Sequence, residues 1–230
     1  MMFEPKSIAV IGASSTSGKV GYDIFKNLLE DGYEGKVYPV NPKHDEIQGM
    51  KAYKSVTEIP EDVEMAVVVI PAKFVPAVIE ECGTKKVKTV VVISAGFSEV
   101  HTEEGQQLED AVVAAAKKHS IALVGPNCLG VLRPSIGMNA SFATDIPKVG
   151  NVALISQSGA MAVALMDASP ALDIGYSAVI SIGNKSVLDE CDFLEQAAED
   201  GKTSVIGFYL ESIKDGDRFK EIAARVTKDK

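Results

Sequence analysis

The sequence predicts an α/β protein with parallel sheets in two successive domains, and three observations lead there. Short β-branched runs alternate with amphipathic stretches along the chain, the pattern of repeated strand-helix units. Hydrophobic residues make up 46% of the 230 residues, aromatics 6%, and Trp is absent, so the interior is aliphatic, as in strands buried on both faces. A glycine-rich turn follows the first apolar run, at the edge where parallel sheets bind ligands.

Strands are expected at Ser7–Ile11, Lys36–Val40, Met65–Ile70, Thr89–Ser94 and Ala122–Val124. Between them Tyr22–Leu29, Phe74–Cys82 and Gly105–Lys118 carry apolar residues at helical spacing. Glu103 and Glu104 precede the last of these and Lys117 and Lys118 close it, complementing the helix dipole. This makes one open sheet over residues 1–130. From 131 to 150 the text changes to Pro134, Gly137, Asn139, Pro147 and Gly150 with little periodicity, which reads as a crossing segment between domains. Alternation resumes over 151–230: strand Val152–Ser156, helix Ala160–Leu172, strand Ser177–Ile182, helix Leu188–Glu199, strand Ser204–Leu210 and helix Asp217–Val226. Three strands make a thin sheet, so a partial second domain with an exposed apolar edge is expected, and with it self-association.

A formal charge of −9 works against nucleic-acid binding, which needs a basic surface. The N-terminal residues lack the pattern of a signal peptide, and no uncharged apolar stretch approaches the roughly 20 residues of a membrane helix. Cys82, Cys128 and Cys191 are odd in number and far apart, which predicts neither disulfides nor a metal site and suits a cytoplasmic protein. His44, His101 and His119 show no metal-ligand spacing, so no metal is expected.

The first loop, Gly12-Ala13-Ser14 through Lys19-Val20-Gly21, runs from strand into helix, where exposed N–H groups hold phosphate well. It is neither G-x-G-x-x-G nor a P-loop: Ser14 stands where the second glycine would be, and Val20 follows Lys19. The second strand ends in Val40-Asn41-Pro42-Lys43, without the carboxylate that binds an NAD ribose. Lys43 suits a phosphorylated ribose, which both coenzyme A and NADP carry. Ile70-Pro71 and Ser94-Ala95-Gly96-Phe97 fall at the same sheet edge and outline a cleft with the first loop. Gly125-Pro126-Asn127-Cys128-Leu129-Gly130 closes the first array in a rigid, glycine-bracketed turn, with Cys128 read as a packed small residue rather than a nucleophile.

Ser156-Gln157-Ser158-Gly159 opens the second array. It departs from a nucleophile elbow, because Ser156 takes the place of the first glycine and every histidine precedes it. Two readings stand, a phosphate cradle and a plain helix N-cap. Glu211 follows the apolar run Val205–Leu210, which puts its carboxylate at the cleft mouth, to orient a histidine or accept a proton, unless it only neighbours a helix cap.

In order, Gly12-Ala-Ser14 with Lys19-Val-Gly21, Tyr38–Lys43, Ser94–Phe97, Gly125–Gly130, Ser156–Gly159, Ser181–Asn184 and Tyr209–Ser212 resemble the α part of NDP-forming (ADP-forming) acyl-CoA synthetases, relatives of succinyl-CoA ligase. The resemblance covers essentially the whole chain. It implies a Rossmann-like CoA-binding domain followed by a partial flavodoxin-like, succinyl-CoA ligase-like domain. It also implies an acid-thiol ligase that converts acyl-CoA, ADP and phosphate to acid, ATP and CoA through an acyl phosphate and a phosphohistidine. By matched motif, CoA would be held by Gly12, Ser14, Lys19, Val40, Lys43, Ile70, Pro71, Ser94, Ala95, Gly96 and Phe97. Asn127 and Cys128 would border the thioester, Ser156, Gln157, Ser158 and Gly159 would cradle phosphate, and Glu211 would steady the phosphohistidine. The family's His-Thr-Gly and ATP-grasp segments have no counterpart in the 230 residues, so Mg-ADP or Mg-ATP is expected to enter through an ATP-grasp partner and the chain alone to be inactive. The alternatives are a CoA-sensing regulatory module of a protein acetyltransferase and an NADP-binding oxidoreductase domain.

Overall fold

In chain order the first domain contributes β1 (Ser7–Ile11), α1 (Val20–Glu30), β2 (Lys36–Val40), a hairpin of β3 (Glu46–Ile47) and β4 (Met50–Lys51), β5 (Met65–Val68), α2 (Val75–Thr84), β6 (Thr89–Val92), α3 (Glu103–Lys118) and β7 (Ala122–Val124). The computed structural model describes residues 4–228. β1, β5 and β6 are buried at every position, so their continuous Val, Ile and Ala runs serve two faces at once. Every pairing in the main sheet is parallel, in the order β2-β1-β5-β6-β7. The order reverses between β1 and β5, and the crevice beyond their carboxyl ends is where such sheets take ligands. α3 starts at Thr102, whose hydroxyl accepts from the Gly105 N–H at 3.1 Å.

The second domain holds β8 (Gly130–Arg133), β9 (Met138–Ser141), β10 (Val149–Ser156), α4 (Gly159–Ala168), β11 (Tyr176–Ser181), α5 (Glu190–Glu199), β12 (Val205–Tyr209) and α6 (Gly216–Val226). β12, β10 and β11 run parallel, and β8 and β9 extend the sheet antiparallel in the order β12-β10-β11-β8-β9. The expected three-stranded sheet is therefore five-stranded, and the segment read as a crossing without periodicity supplies the other two strands. Each is only four residues long, their link is a turn over Pro134–Ile136 closed by Gly137 at φ +65°, and they bury Arg133 and Asn139. Short strands with buried polar residues lack the alternation that marks a strand in sequence. α4 ends at Ala168, four residues earlier than its apolar pattern suggests, because Pro170 stands in a tighter turn over Ser169–Leu172.

The two sheets share one core. Val10, Phe25 and Leu28 of the first domain and Val131, Met138, Ala140 and Ile180 of the second belong to a single buried cluster. Between the domains Asn27 on α1 donates to the carbonyls of Ser141 and Ala143 at 3.0 and 2.8 Å, satisfying its buried amide.

Arg133, 1% exposed, forks onto both oxygens of Asp200 at 2.6 and 2.9 Å and onto the Ser177 carbonyl at 2.9 Å. Burial raises the Asp200 pKa, but hydrogen bonds from Arg133 and Thr203 outweigh it and hold the carboxyl at about 2. Its folded value is depressed, so its contribution is complete above the unfolded value near 3.8 and disappears as pH falls toward 2. Thermal unfolding between pH 5 and 2 should show about 2 kcal/mol of acid-sensitive stability that Asp200→Asn removes.

Candidate functional site

At the carboxyl ends of the first sheet, Gly12 takes φ +99° and donates its N–H to the Val40 carbonyl at 2.9 Å. A Cβ there would be driven into the Val69 carbonyl, so only glycine lets the loops after β1 and β5 approach this closely. Ser14 is buried, and its hydroxyl accepts from the Thr16 N–H at 3.0 Å, closing the loop on itself. Lys19 occupies the N-cap of α1 with an exposed side chain. Beside it, Asn41 donates to the Ala13 carbonyl at 2.9 Å and accepts from the Lys43 N–H at 3.0 Å, which sets the exposed Lys43 at the end of the buried Val40. Gln48, on the turn between β3 and β4, ties the loop from the other side by donating to the carbonyls of Ser14 and Tyr22 at 3.0 and 3.2 Å. Nothing in the local pattern of Gln48 marks it, because its partners lie 26 and 34 residues away.

The next loops meet through Ser94, whose hydroxyl accepts from the Ile70 N–H at 3.1 Å. Pro71 precedes a short turn over Ala72–Phe74. The N–H groups of Gly96 and Phe97 donate to Glu99 at 2.6 and 3.2 Å. The Phe97 ring is 0% exposed within the core of the first domain, so only its backbone belongs to the loop.

In the second domain Ser156 is fully buried and donates to the Ser158 carbonyl at 2.6 Å, while Ser158 caps α4 by accepting from the Met161 N–H at 3.3 Å. Gly159 and Ala160 stand in the first turn of that helix, where N–H groups have no intrahelical acceptor and the dipole favours an anion. Gln157 clamps the neighbouring loop: its Oε1 accepts from the N–H groups of Glu211 and Ser212 at 3.0 and 3.2 Å. Beneath that loop lies the buried pair Lys185–Glu190, 2.9 Å apart, with side chains 3% and 0% exposed. The Lys185 ammonium also donates to the Ser212 carbonyl at 2.8 Å, and Glu190 accepts from the Lys214 N–H at 2.6 Å. Burial pushes the Glu190 pKa up, but Lys185 and the backbone donors more than offset it and keep the carboxyl below its ordinary range.

Gly125, Asn127 and Gly130 all adopt positive φ, and the turn they shape abuts the loop after β11, where the Asn184 N–H donates to the Pro126 carbonyl at 2.9 Å. A Cβ on Gly183 would run into that same Pro126 oxygen. The Asn184 amide donates to Glu99 at 2.7 Å and Glu109 at 2.9 Å, joining the two domains on the far side of the turn. Burial raises the pKa of Glu99 and of Glu109. Asn184 together with the Gly96 and Phe97 N–H groups on Glu99, and Ser186, Ser98 and Asn184 on Glu109, reverse the shift and hold both carboxyls low.

One cavity of about 540 Å³ collects both loop sets: Ser94, Ala95, Asn127 and Cys128 from one side, and Gln157, Ser158, Gly159 and Glu211 from the other. Gly12, Ser14, Lys19, Val40, Lys43, Ile70 and Pro71 are not among its lining residues and stand at the carboxyl ends of β1, β2 and β5, while Ser156 and Phe97 lie buried behind the surface. Val20, Val69, Ile93, Leu129 and Phe142 complete the wall. Burial pushes the Cys128 thiol up to about 12, and it donates to the Val92 carbonyl at 3.3 Å, as a packed thiol does. Among the described residues no cluster of His, Cys, Asp or Glu could hold a metal ion, and no helix is long and apolar enough to cross a membrane.

Residues 6–134 match the CoA binding domain family, and residues 149–230 match the succinyl-CoA ligase like flavodoxin domain. The chain is 51% identical over its full length to the acetate–CoA ligase [ADP-forming] I subunit alpha of Pyrococcus furiosus, covering 50% of that protein. It is 46% identical to the 4-hydroxybutyrate–CoA ligase [ADP-forming] of Nitrosopumilus maritimus, with 99% of the chain aligned to 32% of the relative. The dinucleotide forming acetyl-coenzyme A synthetase 1 of Ca. Korarchaeum cryptofilum, solved with phosphate and ADP, superposes with a TM-score of 0.92 at 42% identity, over 98% of this chain and 48% of that one. The chain thus spans from about a third to half of the length of these relatives.

Proposed function

Because the chain belongs to the CoA binding domain family, joined to a succinyl-CoA ligase-like flavodoxin domain as in the α part of ADP-forming acyl-CoA synthetases, we propose that it holds acyl-CoA and phosphate for acyl transfer in such a ligase. The observation that carries this reading is the cavity where the Ser94–Ala95 and Asn127–Cys128 loops face the first turn of α4 and Glu211. CoA would lie along the crevice of the first sheet, its nucleotide phosphates near the loop that starts at Gly12 and near the exposed Lys19 and Lys43, with Ile70, Pro71 and the Ser94–Phe97 backbone along its arm.

The thioester would then reach Asn127 and Cys128. The N–H groups at the start of α4 would hold a phosphoryl oxyanion there, which stabilises negative charge as phosphate attacks the thioester carbonyl and the CoA thiolate leaves. Glu211 would steady the histidine that accepts the phosphoryl group, with Gln157 fixing the backbone from which Glu211 projects. That histidine would be supplied by the His-Thr-Gly segment of the α part, the nucleotide and its magnesium would come through an ATP-grasp partner region, and self-association through the second sheet, whose outer strand exposes Val205, is part of the same proposal.

Calorimetric titration of the chain with CoA and with NADPH tests the reading. CoA is expected to bind one per chain and NADPH to give no saturable heat; binding of NADPH without CoA would overturn it in favour of a dinucleotide site.

A further inference from the structure

Phe142 is a large apolar side chain left 41% exposed, and the residues on either side of it are tied down by hydrogen bonds. The Asn27 amide grips the carbonyls on either side of it, those of Ser141 and Ala143, at 3.0 and 2.8 Å. The Ser141 hydroxyl donates to Asn139 at 2.6 Å and accepts from the Ala143 N–H at 3.1 Å, and Asn139 is in turn anchored to Asp31 at 2.9 Å. Asn139 and Ser141 are fully buried and Asn27 nearly so. A buried polar network of this kind is costly unless satisfied, and when satisfied it fixes one conformation. Here it fixes the backbone on both sides of Phe142, a residue that lines the cavity.

The rest of the wall explains what the ring does. Phe142 joins Val20, Val69, Ile93 and Leu129, and the one charged lining residue is Glu211, so the lining offers apolar surface beside its polar groups. An acyl group has no polar atoms beyond its carbonyl unless substituted, and it would pack on the apolar residues. On the reading that the cavity receives an acyl-CoA thioester, we propose that Phe142 determines acyl specificity by taking up room in the acyl subsite, so that chain length is limited by an aromatic side chain carried on a fixed backbone.

The test titrates CoA, acetyl-CoA and hexanoyl-CoA calorimetrically into the unmodified chain, Phe142→Ala and Phe142→Leu, and compares each acyl-CoA affinity with that for CoA in the same protein. The hexanoyl-to-acetyl affinity ratio should rise by about tenfold or more in Phe142→Ala, since several methylenes find room, and by less in Phe142→Leu. A ratio within twofold of the unmodified chain in both variants, with CoA still bound, overturns the role of Phe142 and leaves the acyl-CoA site standing. Loss of all CoA binding in a variant with unchanged circular dichroism also overturns it, since Phe142 would then hold CoA itself. Absence of CoA binding to the unmodified chain sinks the acyl-CoA reading instead.

Discussion

Lys185→Met should destabilise the fold by about 3–5 kcal/mol in denaturant unfolding, because it leaves Glu190 charged, fully buried and without its cation. The loss should concentrate where the pair is anchored, in the loop from Glu211 to Lys214, which Lys185 and Glu190 hold through the Ser212 carbonyl and the Lys214 N–H. Hydrogen exchange would then report faster exchange at Ser212 and Lys214 than in β10. The double variant Lys185→Met with Glu190→Leu removes both charges and should recover most of the stability, since a buried ion pair is often no better than apolar packing of similar volume. A single variant as stable as the unmodified chain would mean that water reaches the pair.

Gly183→Ala is expected to cost about 2–4 kcal/mol, from left-handed strain at φ +52° and from the collision of the new methyl with the Pro126 and Asn127 carbonyls. Gly201 is the control: nothing stands within 4 Å of a Cβ there, and Gly201→Ala should stay within about 0.5 kcal/mol. Thermal unfolding of the two variants separates a cost of close approach from a general dislike of alanine. Equal melting temperatures for both would show that the turn after β7 can retreat from the loop after β11.

Much of the fold was legible because its elements are regular. The buried parallel strands are uninterrupted aliphatic runs, and α3 carries its cap and charged ends in sequence, so both announce themselves locally. β8 and β9 do not, because what stabilises Arg133 is Asp200, 67 residues away, and what satisfies Asn139 is Asp31, 108 residues away. The loops that meet at the cavity could be proposed from their Gly, Ser and Pro content. Val20, Phe142 and Leu129 on its wall could not, since an apolar residue at a wall and one in a core read alike until the chain is folded. Gln157 shows the reverse: it sits in a recognisable motif, but the backbone that its side-chain oxygen grips lies 54 and 55 residues away.

The core that runs unbroken from Val10 and Phe25 to Met138 and Ile180 makes the two sheets one thermodynamic body. Neither sheet can melt and leave the other's apolar face covered, so unfolding of one exposes the other. A ligand gripped by the first sheet alone therefore stabilises the second by the same free energy, set only by its concentration relative to Kd. Occupancy at the crevice is in this sense felt throughout the chain without any part of it having to move.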